Sequence, residues 1–195
     1  LEKEVEEVYY QQLKKEYEYL KHKYKLHPIA NGQFQFFRMR PQNFPTIRIA
    51  QLASLFFTYQ NLFSKLMSIT KKEEFYTLFS FTIQAFWKTH YTFESESKKS
   101  PKKLSKSFID LILINTIIPL KFVYFQSRGA VDKDEIIQLI RQVSSEKNSI
   151  ISKFSDLKIV AKTALESQAL LELKNNYCTK KRCLQCAIGN NLVRK

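Results

Sequence analysis

A mostly α-helical protein, an irregular bundle of about seven or eight helices, is what this sequence predicts, with a short extended segment near 34–40 as a local option. Three observations carry that prediction. Apolar residues recur at steps of three and four through most of the chain, the spacing of one helix face. Glycine and proline number only 3 and 5 in 195 residues, where average usage would give about 14 and about 10. Turn-dense sandwiches, propellers and glycine-rich nucleotide loops are therefore disfavoured. Phe and Tyr together make 26 residues, which marks a packed chain and not a disordered one.

The elements follow in order. Over the first 25 residues Val5, Tyr9, Leu13, Tyr17, Leu20 and Tyr24 make one apolar stripe, with glutamates leading and lysines trailing as the helix dipole favours. His27 and Pro28 end this helix, and Asn31-Gly32 turns the chain. QFQFFRMR is extended or a short helix, and Pro41 and Pro45 interrupt regular structure after it. Thr46 is the expected N-cap of a long helix, TIRIAQLASLFFTYQNLFSKLM, whose stripe is Leu52, Leu55, Phe56, Tyr59, Phe63 and Leu66.

KKEEFYTLFSFTIQAFWKTHYTF holds one or two short helices, and a Ser- and Lys-rich linker spans 94–106. In SFIDLILINTIIPLKFVYF a buried helix should break or kink at Pro119, which has no backbone donor; its β-branched content keeps a strand as the alternative. DKDEIIQLIRQVSSE and SDLKIVAKTALESQALLELKNNY are two further amphipathic helices, each preceded by acidic or Ser capping residues, Asp132, Asp134 and Glu135 among them. No internal repeat is present. The 195 residues read as one helical domain, with a basic linker near 94–106 and a cysteine-bearing C-terminal segment over 177–195.

Charge is unevenly laid out. The formal net charge is +14, and three acid-free stretches hold all of it. Arg38, Arg40 and Arg48 form the first; Lys98, Lys99, Lys102, Lys103 and Lys106 the second; Lys174, Lys180, Lys181, Arg182, Arg194 and Lys195 the third. Such patches attract polyanions, nucleic acid first and anionic membrane surfaces next, although a solvated lysine-rich loop with a basic tail has the same composition.

Leu1 is not an initiator methionine, so a piece of a longer protein is expected. LEKEVEEVYYQQLKKEYEYL is too charged for a signal peptide. The most apolar stretch, Leu111 to Phe125, is interrupted by Asn115, Pro119 and Lys121 and falls short of the about 20 residues that span a bilayer. The expectation is a soluble, cytoplasmic protein with no membrane partner.

Two sites stand out. Cys178, Cys183 and Cys186 make a C-x4-C-x2-C pattern in which the closer pair could place two thiolates on one metal, with Lys180, Lys181 and Arg182 favouring the thiolate form. With His90, another histidine brought in by folding, or a residue of the missing half of the longer protein as fourth ligand, this predicts a structural zinc; a two-iron cluster would need another cysteine, and plain packed or surface thiols are the competing account. The second site is RMRPQNFPTIR. If 37–40 is extended, Arg38 and Arg40 share a side, and Arg48 and Thr46 lie at the next helix N-terminus, with Asn43 as a further donor. Together they predict a phosphate or carboxylate pocket, against the alternative that the arginines pair with glutamates of the first helix. Trp87, His90 and Tyr91 could stack on bases but have helical, core-like spacing. No G-x-S-x-G, H-E-x-x-H, Walker or dinucleotide signature occurs, so no catalytic residues are assigned.

The strings FFRMRPQNFPTIRIAQLA, WKTHYTF, LINTIIPLKFVY, LESQALLELKNNYC and CLQCAIG, in this order between about Tyr10 and Val193, make the chain similar to an uncharacterised bacterial family, a domain of unknown function numbered twenty-eight fifty-one. The resemblance implies members about twice this length, this chain matching their C-terminal half and a β-rich N-terminal half completing them. It implies no activity, cofactor or partner. The leading expectation is a basic module that binds nucleic acid through phosphate contacts, using Lys102, Lys103, Lys180, Lys181 and Arg182. The alternatives are a helical scaffold packing against the missing N-terminal half, and part of an enzyme whose site lies between the halves.

Overall fold

The computed structural model describes residues 7–30, 32–34, 36–129 and 133–193. Val5, Asn31, Asp132, Arg194 and Lys195 lie outside them. The predicted helical class holds, and among the described residues there is no strand, only two isolated bridges. Ten helices are formed among the described residues, more than the seven or eight expected. They are α1 (Val8–Tyr24), α2 (Pro45–Thr58), α3 (Leu62–Ser68), α4 (Lys72–Leu78), α5 (Ala85–Thr89), α6 (Lys106–Ser127), α7 (Lys133–Gln142), α8 (Ser149–Asp156), α9 (Ala164–Glu172) and α10 (Ala187–Val193). The chain divides into two compact units, Leu1–Leu62 with Ser80–Lys103, and Phe63–Phe79 with Leu104–Lys195. The boundary at Lys103 falls within the basic stretch read as a linker.

In the first unit, α1 is held by its beginning. Tyr9 stacks on Phe86 at 4.7 Å and meets Trp87 edge-on, and Tyr10 meets Phe93. Further along, Leu13, Tyr17 and Tyr24 are exposed, so the predicted stripe is not a core face. Lys25 ends the helix in the left-handed region.

The α2 helix also departs from expectation. Phe44 is its N-cap and Pro45, with φ preset and no N–H to leave unpaired, is its first residue. Thr46 is thus inside the helix, where its hydroxyl donates to Tyr91 O at 2.5 Å. The buried face is Ile47, Ala50, Gln51 and Leu55, whereas Leu52 and Phe56 of the expected stripe point to solvent. Nor does α2 run on to Met67. Ser54 and Thr58 bond back to the carbonyls of Ala50 and Ser54, a side-chain competition that weakens helices, and Tyr59 is extended.

The second unit is organised around α6. Ser105 caps it, and Ile109, Leu113, Ile114, Ile117 and Ile118 are buried. Pro119 neither breaks it nor makes it a strand. The turn before the proline, Leu113–Ile117, widens to a π-helix in which Ile118 N–H reaches Leu113 O, and the helix continues to Ser127. The wider turn accommodates the proline ring and its missing donor. The helix is 22 residues long and an 18-residue window of it has mean hydropathy 1.8, so by length and composition α6 is long and apolar enough to cross a membrane, unlike the shorter stretch Leu111 to Phe125 expected to be too short.

Lys121 of α6 is 0% exposed. Its ammonium donates to Ile69 O at 2.6 Å and Met67 O at 2.9 Å and pairs with Glu135 of α7 at 3.2 Å, so one charge ties together the end of α3, α6 and α7. The last two predicted helices are also redrawn. The residue Asn148 caps α8, which the sequence reading missed, through bonds to the N–H groups of Ile150 and Ile151. Helix α9 begins at Ala164 and not near Ser155, because Thr163 and Glu166 form a reciprocal capping box there. It runs on as a π turn over Leu173–Cys178.

Candidate anion-binding cleft

The basic stretch 98–103 is not a free linker. An isolated bridge between His90 and Glu96 folds it back beside α5, and Ser97 N–H and Ser100 N–H donate to Thr89 O and Lys88 O at 2.6 and 2.8 Å. Lys102 then anchors it. This residue, expected to meet nucleic acid, is only 6% exposed. Its ammonium donates to Trp87 O at 2.7 Å and His90 O at 2.6 Å, and lies 3.8 Å from the centre of the Tyr91 ring. Gln51 of α2 donates to Lys102 O at 2.8 Å. Burial pushes the Lys102 ammonium below the usual lysine range. Lys102 is therefore a structural strut, which corrects its assignment as a phosphate contact.

With Lys102 turned inward, its neighbours face out. Lys99 and Lys103 are exposed, and half-buried Lys88 of α5 joins them around a cleft of about 340 Å³ completed by Phe81, Thr82, Ser100 and Pro101. Among the described residues no carboxylate lines it. Among the described residues none of the three lysines is in an ion pair. Three uncompensated ammonium groups and two hydroxyls in one concavity make a local positive potential with hydrogen-bond donors, the chemistry that recognises an anion such as phosphate. The sequence reading singled out Lys103 here and missed Lys88, which belongs to a different string, WKTH, and reaches the cleft only because the chain folds back.

The arginine motif is built differently from its prediction. Residues 37–38 form a turn with Arg38 at φ +61°, not an extended strand, so the expected alternation of side chains does not apply. The Arg38 guanidinium lies 5.2 Å from the Phe37 ring centre, and Arg40 is exposed before a 3₁₀ turn, Pro41–Asn43. Arg48 donates to Asn43 Oδ1 at 2.6 Å and Gln51 Oε1 at 2.9 Å. Burial pulls it below the ordinary arginine value. Asn43, Arg48 and Gln51 thus form a chain of hydrogen bonds ending on the Lys102 carbonyl.

The zinc expectation meets a different arrangement. His90, 8% exposed, belongs to the first unit; its ring stacks on Phe86 at 3.9 Å and its Nδ1 lies 3.1 Å from Phe86 O and 3.0 Å from Thr89 Oγ1. The cysteines belong to the second unit, Cys178 and Cys183 exposed and Cys186 buried. Among the described residues no group of three or more His, Cys, Asp or Glu is gathered to hold a metal ion. What the C-terminal segment presents is a basic turn. Lys180, Lys181 and Arg182 are exposed after the π end of α9, Lys181 at φ +53°, with the Lys180 ammonium on Asn176 Oδ1.

Compared with known proteins, residues 1–149 match the model of the family described as "Protein of unknown function (DUF2851)". The strings LESQALLELKNNYC and CLQCAIG lie beyond that match. Neither a curated protein nor a solved structure matches the chain.

Proposed function

The chain belongs to the DUF2851 family, whose description carries no function, and we propose from its own residues that it binds nucleic acid through phosphate contacts. The observation that carries this reading is the acid-free cleft of Lys88, Lys99 and Lys103. The exposed Lys180, Lys181 and Arg182 of the second unit supply a further basic surface. Binding of this kind releases counterions and weakens linearly in log salt, with a slope of about −0.7 to −0.9 per phosphate neutralised.

Fluorescence anisotropy with labelled single-stranded DNA, duplex DNA and RNA at low and near-physiological salt tests it. The expected result is micromolar or tighter binding at low salt that weakens steeply as salt rises. Replacing Lys88, Lys99 and Lys103 together by Gln should weaken binding and flatten the salt slope by about 2 to 3. No binding at low salt, or a triple variant that binds like the parent, would discard the reading.

A second reading, a helical interaction domain, is favoured by the outer face of α2, where Ile49, Leu52 and Phe56 are exposed at steps of three and four. Its test is co-expression with the N-terminal half that the family resemblance implies. A soluble complex lost in Leu52→Asp supports it, and independent purification of the two halves opposes it.

A further inference from the structure

The lysine cleft has a neighbour of opposite character. A second concavity of about 500 Å³ in the same unit is lined by Tyr9, Phe57 and Trp87 together with Ser54, Thr58 and Gln84. Thr82 lines both clefts. The irregular stretch 80–84 is the wall between them, Phe81 facing the basic side and Ile83 the aromatic side. On α5 the consecutive residues Trp87 and Lys88 divide in the same way. Phe57 is 90% exposed, the most solvent-exposed large apolar side chain among the described residues. An aromatic surface edged by amide and hydroxyl groups and adjoining three unpaired lysines offers a place for a flat heterocycle beside a place for a phosphate.

From this juxtaposition we propose that the two clefts form one bipartite site for single-stranded nucleic acid, an unstacked base lying on the Phe57 side and the backbone phosphate on Lys88, Lys99 and Lys103. The proposal rests on the phosphate-contact reading and adds to it the state of the strand. In a duplex the bases are paired and stacked and cannot enter such a cleft, whereas a single strand can turn one out; stacking on protein aromatics is tolerant of sequence because every base has a π face. DNA and RNA strands share this chemistry. Gln84, Ser54 and Thr58 offer donors and acceptors to base edges without a fixed pattern, which fits tolerance and not sequence readout.

The test uses the full chain and labelled oligonucleotides of about twelve nucleotides, within the usual site sizes for such proteins. Four probes are compared at low salt: single-stranded DNA, single-stranded RNA, a duplex, and an abasic strand that keeps the phosphates but has no bases. A single strand of either sugar should bind at least about fivefold more tightly than the duplex and the abasic strand, the lower end of what one stacked base contributes. Phe57→Ala should remove that preference and leave duplex and abasic binding unchanged; its exposure means that the core does not depend on it. Trp87 is the chain's one tryptophan, so its emission gives an independent readout, which a base-bearing strand should change and the abasic strand should not.

Equal affinity for all four probes, with Phe57→Ala silent, would overturn the single-strand proposal and leave the phosphate reading standing. A mononucleotide that competes as well as the strand would overturn it too. No binding of any probe would remove both readings together.

Discussion

Within the run KKSPKKLSK, Lys102 and Lys103 have the same chemistry and adjacent positions, yet the fold gives them opposite roles. Lys102→Met leaves the buried carbonyls of Trp87 and His90 without their donor, and should lower stability by about 1–3 kcal/mol in urea unfolding. Lys103→Gln changes an exposed side chain and should stay within about 0.5 kcal/mol of the parent while weakening anion binding. Nothing in the sequence distinguishes the pair, because the difference comes from carbonyls 12 and 15 residues upstream. His90 shows the same limit: its residue type suits a metal, and only its stacking on Phe86 reveals a packing role. Tyr76 adds a pH signature. Burial first, then its hydrogen bond to Asp110 at 2.6 Å and the charges of Asp110 and Glu73, hold its phenol well above the ordinary value of about 10. The unfolded chain therefore loses this proton before the folded one, so its contribution is constant below about pH 10 and is lost as pH rises above it. Melting temperature followed from pH 8 to above pH 10 should fall in the parent, and part of that fall should vanish in Tyr76→Phe.

For the elements, helix class was legible and helix limits were not. Periodicity found α1, α2, α6, α7 and α9, but their ends are decided by caps and side-chain competition. The capping box of Thr163 and Glu166 overrides a helical pattern that begins near Ser155; Thr163→Ala should cost about 0.5–2 kcal/mol, read by urea unfolding. A break or kink was expected at Pro119; the helix is not broken there, since a π turn over Leu113–Ile117 takes up the proline and the chain stays helical to Ser127. Lys121, two residues later, looks like a defect in an apolar run and is instead the donor that closes the end of α3. Lys121→Met should lower stability by about 1.5–3 kcal/mol, the range for hydrogen bonds to charged groups. If its unfolding midpoint matched the parent's, that role would be refuted.

On the scale of the whole chain, two features escape a linear reading. Each compact unit is assembled from two separated stretches, 1–62 with 80–103 and 63–79 with 104–195. Composition windows along the sequence therefore mix both. The candidate site is discontinuous in the same way: its aromatic side draws on α1, α2 and α5 and its basic side on α5 and the folded-back loop. The charge layout marked Lys99 and Lys103 within one basic stretch but not Lys88, because a run of lysines in sequence marks a region and not a concavity. The cysteine pattern, the most motif-like string in the chain, belongs to no group of three or more His, Cys, Asp or Glu among the described residues.

The two interior ammonium groups also act as clocks. Lys102 sits in the first unit and Lys121 in the second, each shut away from reagents in the native state. Acylating reagents modify an amine only when it meets solvent, so each of these lysines reacts at the rate at which its own surroundings open. Under native conditions they should be the slowest lysines to be labelled, read by peptide mass spectrometry. Equal rates for both, tracking global unfolding in urea, would mean that the units open together; a faster Lys102 would identify the unit that carries the cleft as the one that breathes.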